Sequence, residues 1–404
     1  MADSRNTQGL TVLANGFRPF FLLGAVQAAL AILVWLPAYY GELTLNSAFV
    51  PRDWHVHEML YGYLPAIVTG FLFTAIPNWT GRLPIRGLPL LTLVIVWIAG
   101  RIAVTTSIIG PWWADLLVDA SFLALVVLAA AREIVAGRNW RNLPVVAIVG
   151  MLCAGNIAFH LEAHLRGSAD VAIRIGVAVI VLLLALIGGR ITPSFTRNWL
   201  VKNHPGRLPA PFGRFDMAVV LISALSLLSW IVAPERTGTA LALAVAGVLH
   251  VIRLARWAGD RTLRERLLVI LHVGYAFVPL GFLATAAASL GWTLPSAGLH
   301  AWMVGAAGIM TLAVMTRATL GHTGQALTAS VATQAIYLGI IVAATTRVCA
   351  VLVPAHAVVL LHVAAFAWII AFSGFVLAFG PLLLGLKLRA LAIRSSAGSA
   401  QPVL

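Results

Sequence analysis

The chain has 404 residues, of which 61% are apolar and only 10% charged, where soluble domains carry about 25% charged residues. With a mean hydropathy of +0.96, this excludes a soluble globule, a disordered chain and a disulfide-knotted secreted domain. The apolar runs are continuous rather than alternating, which excludes a β-barrel and predicts an all-α polytopic membrane protein. At roughly 20 apolar residues per crossing plus short loops, the length accommodates about 12 helices.

Twelve spans are predicted near 20–40, 57–76, 88–109, 113–131, 143–163, 171–191, 217–233, 239–257, 267–290, 299–320, 330–353 and 357–386. Residues 1–18 lack the form of a cleavable signal peptide, so the first run reads as a retained helix. The longest predicted loop is 192–216, with four prolines and two glycines. Residues 1–394 read as one integral-membrane domain, and 395–404, SSAGSAQPVL, as a disordered tail. The two cysteines, Cys153 and Cys349, lie far apart in apolar runs. Without CxxC or CxxCH, covalent haem and a thiolate zinc site are not expected.

The net charge of +14 would suggest nucleic acid in a soluble protein. Here it follows from topology. If both termini and the loops after even-numbered spans share a side, that side holds 21 of the 27 Lys and Arg residues. The other side holds four, and Arg101 and Arg174 lie within spans. The positive-inside rule then predicts that both termini of the protein are cytoplasmic. Its surroundings are the lipid bilayer, with no nucleic-acid partner.

A repeat is visible. The second span ends IPNWTGR, the sixth TPSFTRN and the tenth TLGHTGQ, with Thr80, Thr196 and Thr323 spaced 116 and 127 residues apart. His57 and His300 each precede their Thr by 23 residues. Three four-helix units are expected, about 1–131, 132–257 and 258–394. Chance agreement at helix ends is the plainer alternative.

Ionisable residues within a bilayer are costly and mark functional sites by default. Seven of eleven histidines and eight of thirteen acids fall on the outer side. In WHVHEM, His55 and His57 stand about 200° apart around a helix, so they point to opposite faces and cannot share one metal. Each could serve its own site, or one could sit at the interface beside Trp54. His57 and His300, at matched depth, form an axial pair for a haem iron in one reading. In HLEAH, His160 and His164 share one helical face at a spacing that suits copper or zinc; a solvated helix end is the alternative. Met59 and Met303 could supply thioethers, though core methionine is commoner. Asp115 and Asp119 also stand four apart. With Arg101 they read as a buried ion pair or, more sharply, as a proton path or an arginine holding a haem propionate. Arg174 is a second propionate candidate. Toward the cytoplasm, Arg190, Arg197, Asn198, Arg317, His272 and His322 read as an anion, propionate or second metal site, or as snorkelling side chains. No phosphate loop and no Ser/His/Asp spacing is found.

The segments WHVHEMLYGY, GFLFTAIPNWTGR, GGRITPSFTRN, MTLAVMTRATLGHTG and NGFRPFFLLG together resemble the NnrS family from about residue 15 to 390. The resemblance implies a twelve-helix protein containing haem b and copper, linked to nitric oxide and nitrosative stress, with an electron donor if it turns over. The positions that match are His55, His57, Glu58, Arg190, Arg197, Asn198, Arg317 and His322. The three units also resemble the arcs of haem–copper oxidase catalytic subunits, but the adjacent His-His pair of their copper site is missing, so the analogy is one of fold. A transporter or sensor that binds an ion without redox turnover is the alternative function, and a haem-binding scaffold a third.

Overall fold

The computed structural model of the chain describes residues 10–108 and 110–386, and every regular element among them is helical. The tail predicted for 395–404 lies outside the described residues. Twelve helices are long and apolar enough to cross a membrane: α1 Phe17–Tyr39, α2 Pro51–Thr80, α3 Leu88–Thr106, α4 Trp112–Ala136, α5 Trp140–Arg166, α6 Asp170–Asn203, α7 Arg214–Val232, α8 Thr237–Ala255, α9 Arg266–Ser289, α10 Ser296–His322, α11 Val331–Leu352 and α12 Pro354–Leu383. This is an all-α, multi-pass membrane protein.

Each helix packs on the next in sequence, and α12 packs back on α1, closing a ring. Arg18, buried in α1, locks that closure by donating through Nη1 to the carbonyls of Leu382 (2.8 Å) and Leu383 (2.9 Å). Those carbonyls lie in the last turn of α12, where the helix ladder runs out of N–H donors, and Leu382 O is shared with Gly385 N–H at 3.1 Å. Three helices lie deeper than the rest. The apolar stretches of α2, α6 and α10 are 72%, 67% and 72% buried, against 33–56% for the other nine. Lipid-facing helices keep one apolar side exposed, so this difference sets three central helices inside nine peripheral ones.

The same three helices carry π-helical turns: Glu58–Tyr63 in α2, Leu184–Gly188 in α6 and Ala301–Gly308 in α10. Such turns loosen the i→i+4 ladder and concentrate at functional sites. They recur every fourth span, as the Thr motifs do. Side chains from neighbours engage the carbonyls in two of them. Trp97 Nε1 on α3 donates to Gly62 O at 2.9 Å, and Arg253 Nη1 on α8 donates to Ala185 O at 2.7 Å. Thr80 and Thr323 each donate to the carbonyl four residues back, whereas Thr196 reaches His272 on α9.

Two predicted boundaries move furthest. Helix α2 starts at Pro51, six residues before the expected edge, because proline fits the first helical position, where its missing N–H costs nothing. Helix α6 runs through Pro193 to Asn203, which shortens the loop expected over 192–216. Thr192, Pro193, Thr196 and Leu200 form a buried stripe there, and that burial outweighs the helix-breaking tendency of proline.

Candidate metal centre

The candidate site lies one to two turns inside α2, α3, α4 and α5, on the face that holds the α1–α2, α3–α4 and α5–α6 turns. Helix α2 supplies His57 as its seventh residue, and the π-turn that follows directs Glu58 and Gly62 toward α3. From α3, Arg101 reaches both carboxylates. Its Nη1 donates to Glu58 Oε1 and its Nη2 to Asp119 Oδ1. Glu58 Oε2 accepts from Gln27 Nε2 on α1. Close helix approach makes this contact possible: a Cβ on Gly62 would lie 2.6 Å from Arg101 Nη1, and one on Gly100 would lie 3.0 Å from Asp119 Oδ1.

Asp119 is the hub. Its Oδ2 accepts from Asn156 Nδ2 at 2.7 Å and lies 3.2 Å from both His57 Nε2 and His160 Nε2. Asn156 Oδ1 is 2.9 Å from His57 Nε2. His57, Glu58 and Asp119 are at most 2% exposed and His160 4%. Among the described residues, His57, Asp119 and His160 form a group that could hold a metal ion, with one ligand atom from each and all three within 4.8 Å. Two imidazoles and a carboxylate suit copper, zinc or iron.

Charge sharpens the picture. Arg101 is one cation between two carboxylates. With both ionised and the imidazoles neutral, the buried cluster carries one net negative charge. An uncompensated charge in low dielectric is expensive. A proton on His57 neutralises it, and a bound metal cation offsets it. His57 Nδ1 is buried without a hydrogen-bond partner, 3.5 Å from Glu58 Oε1, which leaves a ring nitrogen uncommitted. Space is limited: the rings of Phe49, Tyr61, Phe159 and His160 have centroids 5.1–5.3 Å from that of His57. An ion fits among them. A porphyrin plane does not.

His55 and His57 do face different neighbours. His55 stacks on Trp35 of α1 (centroids 4.3 Å, 27°) and lies within electrostatic reach of His300 and Arg347. His300, expected opposite His57, has His55 rather than His57 within electrostatic reach on α2. His300 Nδ1 donates to Ser296 O at 2.6 Å, leaving Nε2 as the free nitrogen. His55 Nδ1 is buried and unpartnered.

The arginines divide. Arg101 is consumed by its two carboxylates, so the ion-pair reading describes it and the propionate reading does not. Arg174 donates to Ile231 O at 3.3 Å. On the opposite face, Arg190 lies over Phe212 (5.2 Å) and lines a cavity of about 610 Å³ with Arg138, Arg141, Trp79 and Trp140. Arg317 lies over Phe195 (4.4 Å). Arg197 and Asn198 are exposed. His272 Nε2 pairs with Thr196 Oγ1 at 2.9 Å, and His322 packs beside Phe17. The two histidines have separate neighbours rather than one shared set.

Sequence reasoning missed Asn156 and Gln27, and did not rank Asp119 among the site residues. It also missed a second buried cluster. Arg253, counted as a loop charge, is an α8 residue with no exposure. Its Nε donates to Asp216 Oδ1 at 2.8 Å, and its Nη1 to Tyr275 Oη at 2.8 Å as well as to Ala185 O. His250 joins through Tyr275 Oη and Ser223 Oγ, both at 2.9 Å. Arg253 falls inside the predicted span 239–257 and so needs a partner, but Asp216 lies one residue before the predicted span 217–233, which hid the pairing.

Among curated proteins, no sequence matches the chain. A family profile described as NnrS protein matches residues 11–387. That span includes all twelve helices and both buried charge clusters, and the chain belongs to the NnrS family.

Proposed function

We propose that this protein is a metal- and haem-binding membrane protein of the nitric oxide response, and that His57, Asp119 and His160 hold a copper ion. The observation that carries the reading is the buried, net-negative cluster in which two imidazoles and a carboxylate converge within ion-binding distance. Copper there would supply a redox-active Lewis acid. Around it, Asn156 fixes the ring of His57, Arg101 holds both carboxylates in place, and the aromatic shell excludes water. Nitric oxide, small and neutral, can reach such a site through the bilayer.

The NnrS resemblance also implies haem b. His55 and His300 are the histidines that would hold it, with Arg347 as the charge partner of a propionate. Each of the two histidines has a ring nitrogen without a hydrogen-bond partner, and Arg347 lies within electrostatic reach of both. The bacterial inner membrane with cytoplasmic termini is the orientation that the Lys and Arg asymmetry favours.

The test is metal analysis with Cu(II) paramagnetic resonance and visible spectroscopy on detergent-purified protein, with and without nitric oxide. One copper per chain is expected, with nitrogen hyperfine splitting lost in His57→Ala and His160→Ala. A haem band lost in His300→Ala is expected, and one of the two signals should respond to nitric oxide. Copper and haem binding without any nitric oxide response would turn the assignment to transport or sensing. A metal-free, colourless protein from copper- and haem-replete cells would refute it.

A further inference from the structure

A second feature lies immediately outside the buried cluster. Helix α3 ends, α4 begins and α5 ends around a cavity of about 40 Å³, lined by Ser107, Trp112, Asp115, His160, His164 and Phe49. That is room for one ion or one water molecule, not an organic ligand. Asp115 is 2% exposed, and among the described residues both of its carboxylate oxygens are buried without a hydrogen-bond partner. A buried carboxylate with only the Ser107 hydroxyl beside it is unfavourable in general, and this one lines the cavity. His164 sits at the exposed rim, its ring stacked on Trp112 (centroids 4.1 Å, 14°). His160 joins the two sites. Its Nε2 faces Asp119 at 3.2 Å, which leaves Nδ1 for the cavity. Asp119 is one helical turn deeper than Asp115 on the same face of α4, as His160 is one turn deeper than His164 on α5.

We propose that Asp115, His164 and the outer nitrogen of His160 form an entry site for a metal cation, which loses its water there before passing to His57 and Asp119. The ladder runs from the exposed rim to the buried hub in one-turn steps on two adjacent helices. Passage from the outer rung to the inner exchanges one imidazole and one carboxylate for another such pair, with His160 common to both. The Asp115 carboxylate at the outer rung draws cations, not anions, into a narrow opening. The cation is of the borderline class that imidazole and carboxylate share, with Cu(II) as the probe. This inference rests on the metal assignment made for His57, Asp119 and His160.

The test is rapid mixing of metal-free protein in detergent with Cu(II), following growth of the ligand-field absorbance and then the final stoichiometry. Asp115→Asn, which keeps shape and removes charge, and His164→Ala should each slow loading by about tenfold or more, the range over which a charged cleft raises on-rates. Neither should change the final spectrum or the one-to-one stoichiometry. His57→Ala should lose the final spectrum. Wild-type loading rates in both Asp115→Asn and His164→Ala would overturn the entry site and leave the inner site standing. A wild-type protein that takes up no copper would overturn the inner site and the entry site together. Loss of stoichiometry in Asp115→Asn would make Asp115 a ligand of the final site rather than of a way in.

Discussion

His57 Nε2 lies 3.2 Å from Asp119 Oδ2, and neither side chain is more than 1% exposed. Asp119 also takes one nitrogen of Arg101 on its other oxygen, so α2, α3 and α4 meet at one carboxylate. Removing the cation from this arrangement strands two carboxylates. Arg101→Met is expected to destabilise the protein by about 3–5 kcal/mol, the usual result of breaking a buried pair from one side. Arg101→Met with Glu58→Gln should recover part of that loss, since one of the stranded charges is gone. Thermal unfolding in detergent, followed by circular dichroism, reads both. A double variant no more stable than the single one would mean that Glu58 is not an ionised partner of Arg101.

Gly62 is a glycine for a spatial reason. Its backbone is helical, but a Cβ there would meet Arg101 Nη1 at 2.6 Å and Glu58 Oε2 at 3.1 Å. Gly62→Ala should therefore push the guanidinium off its carboxylates. We expect a loss of about 1–3 kcal/mol from overpacking and about 10–100-fold weaker metal binding, the scale of disturbing groups that orient ligands. Gly150→Ala is the control, because nothing lies within 4 Å of its Cβ position. Equal copper affinity in Gly62→Ala and wild type would show that Arg101 does not position the ligands.

How far these features were legible in the sequence depended on the distance over which their cause acts. Span number and type followed from apolar runs, a local property. So did the opposed faces of His55 and His57, which needs only the helical pitch. The partners were not legible. His57 meets Asn156, 99 residues away, and Glu58 meets Gln27 from α1, and no local periodicity encodes which helices become neighbours. Arg253 shows the same limit from the other side. Near a predicted helix end it counted as a loop charge, and only the adjacency of α7 and α8 reveals that Asp216 holds it inside. The π-turns, which require i→i+5 bonding in helices with ordinary propensities, left no mark that composition could show.

The Arg253 cluster should be structural and not metal-dependent. Arg253→Met leaves Asp216 buried without its cation and takes a donor from Ala185 O at the α6 π-turn. A loss of about 3–5 kcal/mol is expected. Gly189→Ala should mimic it more weakly, because its Cβ would lie 2.4 Å from Arg253 Nη2. Copper stoichiometry measured below the unfolding temperature should be unchanged in Gly189→Ala. A selective loss of copper there, at unchanged stability, would connect this cluster to the metal centre.

Outside the spans, Asp260 pairs with Arg207 at 2.5–2.6 Å, and that hydrogen bond holds its carboxyl below the usual carboxylate range. A carboxylate with a depressed folded pKa contributes stability above its unfolded value, about 3.9, and loses it as pH falls through the folded value. Both side chains are more than half exposed, so the pair is worth only about 0–1 kcal/mol and is screened by salt. Arg207→Ala should therefore lower the unfolding midpoint slightly at pH 7 and low ionic strength. The difference from wild type should shrink toward zero as pH falls below the unfolded value and through the depressed folded one, and in about 1 M salt. The same midpoint difference at pH 7 and at the acid end would show that the Arg207 side chain acts through its packing and not through the charge of Asp260.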